Sequence, residues 1–364
     1  MSNKLEFNTQ KIQPIFKKIG KIKNANVGVD PFYKNITINF GDTLENFVDI
    51  EIFNIINQGT LEKQANFKYF YNDFKNLIDT NCNIFKTDNK TYNFYNNDVL
   101  LSEVEVPYIF NHNIVDLGEL QEKTTIKIDN KKELKALLKN ASKDCSKSAI
   151  NGVNLCINSS KLYITTCDYF SIHRLNYNID TNIQYFNETI PLNILVYALK
   201  FIDKKNNEIQ LNIYSKGVKF IIGDIVISGL YFLQDYLKVD DIFRSNSKNI
   251  VECNKKTLLN YLKQCKELQK TNRDSTIIVF NFKEKEAFLY NSKNKDKKYN
   301  TINIANIFED NNINFNIAFS VDLLEKFLNC IEDNIVNIEL EASLSPLQCT
   351  TNKFKGLLMP CKID

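Results

Sequence analysis

Residues 126–139 read IKIDNKKELKALLK, and copies of this stretch organise the whole chain. Ile126 and Ile128 flank Lys127 in the alternation of a half-buried strand. Asp129 follows as a polar cap, a residue whose side-chain oxygen can accept from a free N–H of the first helical turn. Leu134, Leu137 and Leu138 then recur at helical spacing and make one apolar stripe among lysines. The same order stands at Leu5-Glu6-Phe7, with cap Asn8 and Ile12, Ile15, Phe16, Ile19 and Ile22. It stands again at Val251-Glu252-Cys253, with cap Asn254 and Leu258, Leu259 and Leu262.

A second amphipathic helix recurs later in each copy. The first is Phe70, Tyr71, Phe74, Leu77 and Ile78. The next is Ile194, Leu195, Ala198, Leu199 and Ile202, opened by Pro191, a residue suited to a helix start. The last is Leu323, Leu324, Phe327, Leu328 and Ile331. Alternating segments at 35–40, 161–166, 208–213, 217–222 and 276–282 read as strands. Caps at 8, 129 and 254 lie too far apart for a solenoid and suit whole domains. The expectation is α+β: three repeated domains, 1–123, 124–248 and 249–364, each with two helices packed on antiparallel sheets.

Hydrophobic residues at 43% and charged residues at 24% fit a globular chain and exclude a disordered one. No apolar run approaches the roughly 18 residues of a membrane span. Met1 to Asn8 lacks a signal pattern, and the nine cysteines are dispersed without a CxxC pair. Reduced thiols and a cytoplasmic protein are expected.

The 43 lysines stand against three arginines, Arg174, Arg244 and Arg273. Arginine is the usual bidentate reader of guanine, so this chain is poorly equipped for sequence-specific DNA readout. Its lysines are concentrated, however. Residues 9–24, 130–147 and 255–270, the first helix of each copy, hold sixteen lysines against three acids, a net +13. The remainder carries −10. The second helices lack the bias: 320–333 holds Asp322, Glu325, Glu332 and Asp333 against Lys326. A lysine face on one helix is ordinarily only solvation. The same imbalance in three equivalent helices points to a polyanion held without sequence preference. The candidate contacts are Lys11, Lys17, Lys18, Lys21, Lys23, Lys131, Lys132, Lys135, Lys139, Lys143, Lys147, Lys255, Lys256, Lys263 and Lys266.

Catalytic signatures are missing. The ten glycines form no phosphate-cradling loop, and His112 and His173 fit neither HExxH nor a zinc set. His112 reads as a surface-loop residue, and Glu103 with Glu105 as a solvated strand face. A Cys–His nucleophile pair stays open in principle, but no motif supports it. Neither a metal, a cofactor nor an enzymatic activity is expected.

Four stretches resemble the bacterial sliding clamps, the beta subunits of the DNA polymerase III holoenzyme. They are Ile150-Asn151-Gly152-Val153 with Leu162 to Asp168; Ile190-Pro191 opening a helix; Pro31 to Ile36; and the terminal Leu357-Leu358-Met359-Pro360-Cys361-Lys362-Ile363. The resemblance covers the whole chain. It implies a head-to-tail homodimeric ring around double-stranded DNA, with lysines inside and acids outside. It also implies a cleft for short peptides of the polymerase III catalytic subunit, the clamp loader and other clamp-binding-motif proteins. On one side that cleft would use Ile150, Cys167, Tyr169, Phe170, Ser171 and Ile172, followed by Phe232, Tyr236 and Leu237. On the other it would use Leu323, Leu344, Pro346, Leu357, Met359, Pro360, Cys361 and Lys362.

Three departures stand out. Tyr169 occupies a family glycine, Phe232 a family proline, and Val27 a DNA-contacting arginine. The family triplet histidine-arginine-leucine matches Phe170 to Ile172 without a gap, or His173 to Leu175 after an insertion. The alternative to a ring is a non-ring scaffold that binds nucleic acid or acidic partners through the same lysine helices.

Overall fold

The computed structural model describes residues 4–7, 9–20, 26–30, 35–40, 48–52, 56–59, 63–66, 82–86, 91–96, 99–105, 116–142, 148–203, 206–243, 249–271, 276–290, 298–309 and 313–363. The expected helix at 70–78, cap Asn8, His112 and most of the Pro31 loop lie outside the described residues. The side chains of Glu103 and Glu105 do too.

Five α-helices are described: α1 (Thr9–Ile19), α2 (Lys131–Lys139), α3 (Leu192–Phe201), α4 (Lys255–Thr271) and α5 (Val321–Leu328). Asn254 caps α4 as expected, its Oδ1 accepting from the Thr257 N–H at 3.0 Å. The α2 cap is Asn130 rather than Asp129, with Oδ1 accepting from Lys132 N–H at 3.0 Å. The reason is local. Ile128 N–H still donates to the Asn207 carbonyl, which keeps the chain extended one residue further. The apolar stripes face inward: Leu134, Leu137 and Leu138 on α2, Leu258 and Leu262 on α4, and Leu324, Phe327 and Leu328 on α5 are buried. None of the described helices is long and apolar enough to cross a membrane.

The chain forms two compact units. One comprises residues 1–129, 179–184 and 190–233. It holds a five-stranded sheet and an eight-stranded sheet ordered Leu120–Lys127, Glu208–Tyr214, Gly217–Ile222, Ile225–Leu230, Val48–Ile52, Asn35–Phe40, Asn26–Asp30 and Lys63–Asn66. Helices α1 and α3 pack together in this unit. Lys200 of α3 donates to the Ile19 carbonyl at 2.7 Å, satisfying an acceptor at the end of α1 that has no intrahelical donor.

The other unit comprises 130–178, 185–189 and 234–364. Its eight-stranded sheet runs Tyr185–Ile190, Val153–Asn158, Lys161–Cys167, Ser171–Asn178, Phe354–Leu358, Leu347–Thr350, Ile335–Glu339 and Ile250–Asn254. A four-stranded sheet joins Lys298–Asn303, Glu286–Tyr290, Ile277–Asn281 and Asn316–Ser320. In each unit, strands from residues 124–248 continue into strands of a neighbouring sequence copy. Ile225–Leu230 pairs with Val48–Ile52, and Ser171–Leu175 pairs with Phe354–Leu358, both antiparallel. Because the hydrogen bonding runs unbroken across these seams, each compact unit unites part of 124–248 with one neighbour.

Gly356 sits at the second seam, opposite His173. A Cβ there would lie 2.5 Å from the Phe354 ring and 2.8 Å from that of Phe327. Gly356→Ala is expected to destabilise the fold by about 1–3 kcal/mol through overpacking. A urea midpoint equal to that of the parent chain would contradict this packing.

Candidate functional site

The lysines on the first helices divide by environment. Lys17 and Lys18 on α1, Lys132, Lys135 and Lys139 on α2, and Lys256 and Lys263 on α4 are exposed, and Lys131 is half-buried. Lys18 approaches Asp203 at 3.6 Å. Lys21, Lys23, Lys143 and Lys147, and the Lys11 side chain, lie outside the described residues.

Two members of the set face protein instead of solvent. Lys255 is buried, its ammonium donating to the carbonyls of Ile331 at 2.5 Å and Glu332 at 3.0 Å. It ties the start of α4 to the segment after α5, where carbonyls need donors. Lys266 is clamped by Asp322 at 2.6 Å and by Glu325, both on α5. Its charge is therefore compensated within the protein.

Glu133 is the acid that α2 buries, at 5% exposure. Burial, and then the neighbouring Glu332 carboxyl, push its pKa up to about 7. His173 is fully enclosed, and burial pushes its pKa down to about 3. Its ring meets Phe327 and Phe354 edge-on, at centroid distances of 5.2 and 5.9 Å. That environment favours a neutral packing residue.

On the face of its large sheet opposite His173, the second unit packs apolar side chains together. Cys167, Ile172, Tyr236, Val239, Phe243 and Leu357 form one buried cluster, with Ile150 and Leu237 packed against it. Register explains the convergence. Ile172 pairs with both Cys167 and Leu357, which aligns three neighbouring strands side by side. Side chains alternate along a strand, so Ile172 faces the cluster while His173 faces the helices.

The turn before Ile172 is closed by Asp168. Its Oδ1 accepts from the N–H groups of Phe170 at 2.8 Å and Ser171 at 2.6 Å, and from Ser171 Oγ at 3.0 Å. The turn leaves Tyr169 and Phe170 exposed, while Ser171 is buried. Met359 N–H donates to the Phe170 carbonyl at 2.8 Å, so the terminal segment is docked there. Phe170, 53% exposed, and Met359, 46% exposed, form an apolar lip beside the cluster.

The structure thus gathers Ile150, Cys167, Ile172, Tyr236, Leu237 and Leu357 in the cluster itself. Cys361 is elsewhere: it packs with Ile363 on Val279, Phe288 and Ala318 of the four-stranded sheet, and its N–H donates to the Ala318 carbonyl at 2.7 Å. Leu323 on α5, Pro346 and Pro360 are half-buried, whereas Leu344 and Lys362 are exposed. Phe232 belongs to the first unit. Val239 and Phe243 escaped the sequence reading. Their i, i+4 spacing was a signal, obscured by Asp240 and Asp241 between them.

No protein-family model matches the sequence, and no curated protein does. Solved structures match over the full length. The DNA polymerase III beta subunit of Thermotoga maritima aligns with TM-score 0.79 at 15% identity, covering 99% of this chain and 100% of that one. The DNA polymerase sliding clamp of Bacillus subtilis aligns with TM-score 0.78 at 14% identity, covering 100% of both. The Helicobacter pylori beta clamp bound to a DNA ligase peptide aligns with TM-score 0.76 at 11% identity, covering 99% of both. The chain has the sliding-clamp fold.

The buried Glu133 carboxyl sets a pH dependence with a definite sign. Between its ordinary value of 4.5 and its folded value of about 7, the unfolded chain loses the proton while the folded chain keeps it. Stability therefore falls as pH rises through that window. Glu133→Gln should be more stable than the parent at pH 8, by on the order of 2–3 kcal/mol, with little difference at pH 4. Equal denaturation midpoints at pH 8 would refute the assignment.

Proposed function

We infer that the protein is a sliding clamp: a homodimeric ring of two chains that encircles duplex DNA and tethers the replicative polymerase. The observation that carries the reading is the full-length correspondence to clamp structures from several bacteria. The exposed lysines of α1, α2 and α4 support it. Three sequence copies per chain, at 1–123, 124–248 and 249–364, would make six equivalent domains in a dimer. A heterologous head-to-tail contact that closes after two copies yields a ring and no open filament.

The mechanism is topological. A ring need not grip DNA; it must only fail to come off. Lysine suits that task, because a flexible point charge exchanges between phosphates and reads no sequence. Among the described residues the DNA-facing set is then Lys17, Lys18, Lys132, Lys135, Lys139, Lys256 and Lys263, with Lys255 and Lys266 holding helices together instead. No catalytic residue and no cofactor enters this mechanism. The apolar cleft would receive short peptides of the polymerase catalytic subunit, the clamp loader and repair partners. A desolvated apolar pocket is where a peptide anchor gains most of its affinity. The comparison clamp that binds a ligase peptide supports this use of the fold.

The decisive experiment loads the protein onto nicked circular DNA with a cognate loader and then linearises the DNA. Release through the free ends is expected; retention would overturn topological binding. Charge reversal at Lys17, Lys135 and Lys263 should slow loading and flatten its salt dependence. For the cleft, the exposed pair Phe170→Ala with Met359→Ala should weaken peptide binding about tenfold while leaving the dimer mass unchanged. Unaltered peptide affinity would remove the cleft assignment.

A further inference from the structure

Beyond the apolar cluster, the same sheet face turns basic. Two residues on from Ile172 stands Arg174, and two residues back from Leu357 stands Lys355; Arg174 and Lys355 are a register pair. At about 3.3 Å per residue, this pair lies roughly 7 Å along the strands from the cluster. The side chains line a cavity of about 460 Å³ together with Lys161, Tyr163 and Asp240.

The pocket is built around the arginine. Arg174 is buried, its guanidinium between the rings of Tyr163 at 5.2 Å and Phe243 at 5.4 Å. Its Nε donates to Thr165 Oγ1 at 3.1 Å, and Nη1 to Asp240 at 2.5 Å. Nη2 has no partner among the described residues. Lys355 lies over the Phe243 ring at 4.6 Å, and neither it nor Lys161 has an acidic partner among the described residues. Three cations thus share one carboxylate, Asp240. Phe243 belongs to the apolar cluster and also packs against Arg174, so one ring borders both.

We propose that this pocket takes an acidic side chain of the same peptide whose apolar anchor occupies the cleft. The inference rests on the cleft reading above and adds to it a partner chemistry: an apolar anchor with Asp or Glu about two residues away. The order along the sheet face dictates the spacing. Phe170 and Met359 form the apolar lip, Ile172 and Leu357 the cluster, and Arg174 and Lys355 the basic end. An extended peptide lying along this path places its charge over the excess cations. A carboxylate held by Nη2 of Arg174 and a lysine makes charge-assisted hydrogen bonds, stronger than those of an amide.

The test compares labelled decapeptides with a Leu-Leu-Phe core and two flanking glutamates against twins carrying glutamine. One pair has the flank before the core and another after it. Binding to the full chain is read by fluorescence anisotropy. For the parent chain, the acidic peptide of at least one pair should bind about tenfold tighter than its twin at low salt, and the gap should shrink as salt rises. Lys161→Gln with Lys355→Gln should narrow the gap severalfold while leaving the glutamine twin's affinity unchanged. Equal affinities for acid and amide in both pairs would overturn the proposal and leave the cleft standing. So would a gap that the double substitution leaves undiminished. If no peptide of either kind binds, the cleft reading falls and the proposal with it. Inorganic phosphate is run alongside. Phosphate binding that the double variant loses, without any preference between peptides, would reassign the pocket to a free anion.

Discussion

The seam between Ser171–Leu175 and Phe354–Leu358 is the constraint on which the second unit depends. Five register pairs join strands far apart in sequence, from Ser171 with Leu358 to Leu175 with Phe354. A slip of one residue would exchange the two faces of the sheet. Ile172 and Leu357 would turn toward the helices, and His173 would face outward. In the observed register His173 sits in a box of Phe327 and Phe354, and Gly356 opposite it leaves room for both rings. The helix-facing packing and the apolar cluster are therefore two sides of one register. A buried histidine held neutral and a glycine with no space for a Cβ both report that the register is tightly specified.

Polar groups within the helix layer do a different task. Lys200 reaches the Ile19 carbonyl in one unit, and Lys255 reaches the Ile331 and Glu332 carbonyls in the other. Both are lysines donating to carbonyls at or just beyond a helix end, where acceptors lack intrahelical partners. Asn130 adds a bond to Glu332 at 3.1 Å, and Asn140 a bond to Cys330 Sγ at 3.2 Å, so α2 is tied to the end of α5 twice. Lysine count alone therefore overstates the charge a polyanion would meet. Where a helix end lacks its donor, a lysine is drawn inward and its charge is lost to the surface.

Much of this architecture was legible in the sequence because periodicity encodes burial. The stripes Leu134-Leu137-Leu138 and Leu324-Phe327-Leu328 face inward as their spacing requires. The strands at 35–40 and 217–222 match the alternating segments residue for residue. Pairing was not legible. Nothing local in 225–230 or 354–358 announces its seam partner, so the compact units could not be read from repeat boundaries. The apolar cluster was legible in part. Cys167 and Leu357 lie in stretches that resemble the sliding clamps, whereas Val239 and Phe243 reach the cluster from a 3-10 turn and the residues just after it, with no sustained period. The inward turn of Lys255 and the clamping of Lys266 depend on carbonyls and acids beyond residue 320, which no helical wheel of α4 contains.

Tyr169 shows how a tight turn without glycine can hold a bulky residue. Glycine is needed in a turn where the backbone takes positive φ. Tyr169 is not among the residues with positive φ, whereas Ser159, Lys285 and Asn300 are. Asp168 closes this turn through its carboxylate, which accepts from two backbone N–H groups and from the Ser171 hydroxyl. The backbone is held by side-chain acceptance and not by a left-handed residue, so a bulky side chain is admitted at the tip. The consequence is chemical as well as conformational. An aromatic pair, Tyr169 with Phe170 at a centroid distance of 6.4 Å, now stands where a glycine would leave backbone. Two exposed aromatic rings thus stand beside the apolar cluster, and Arg174 and Lys355 mark the basic end of the same sheet face.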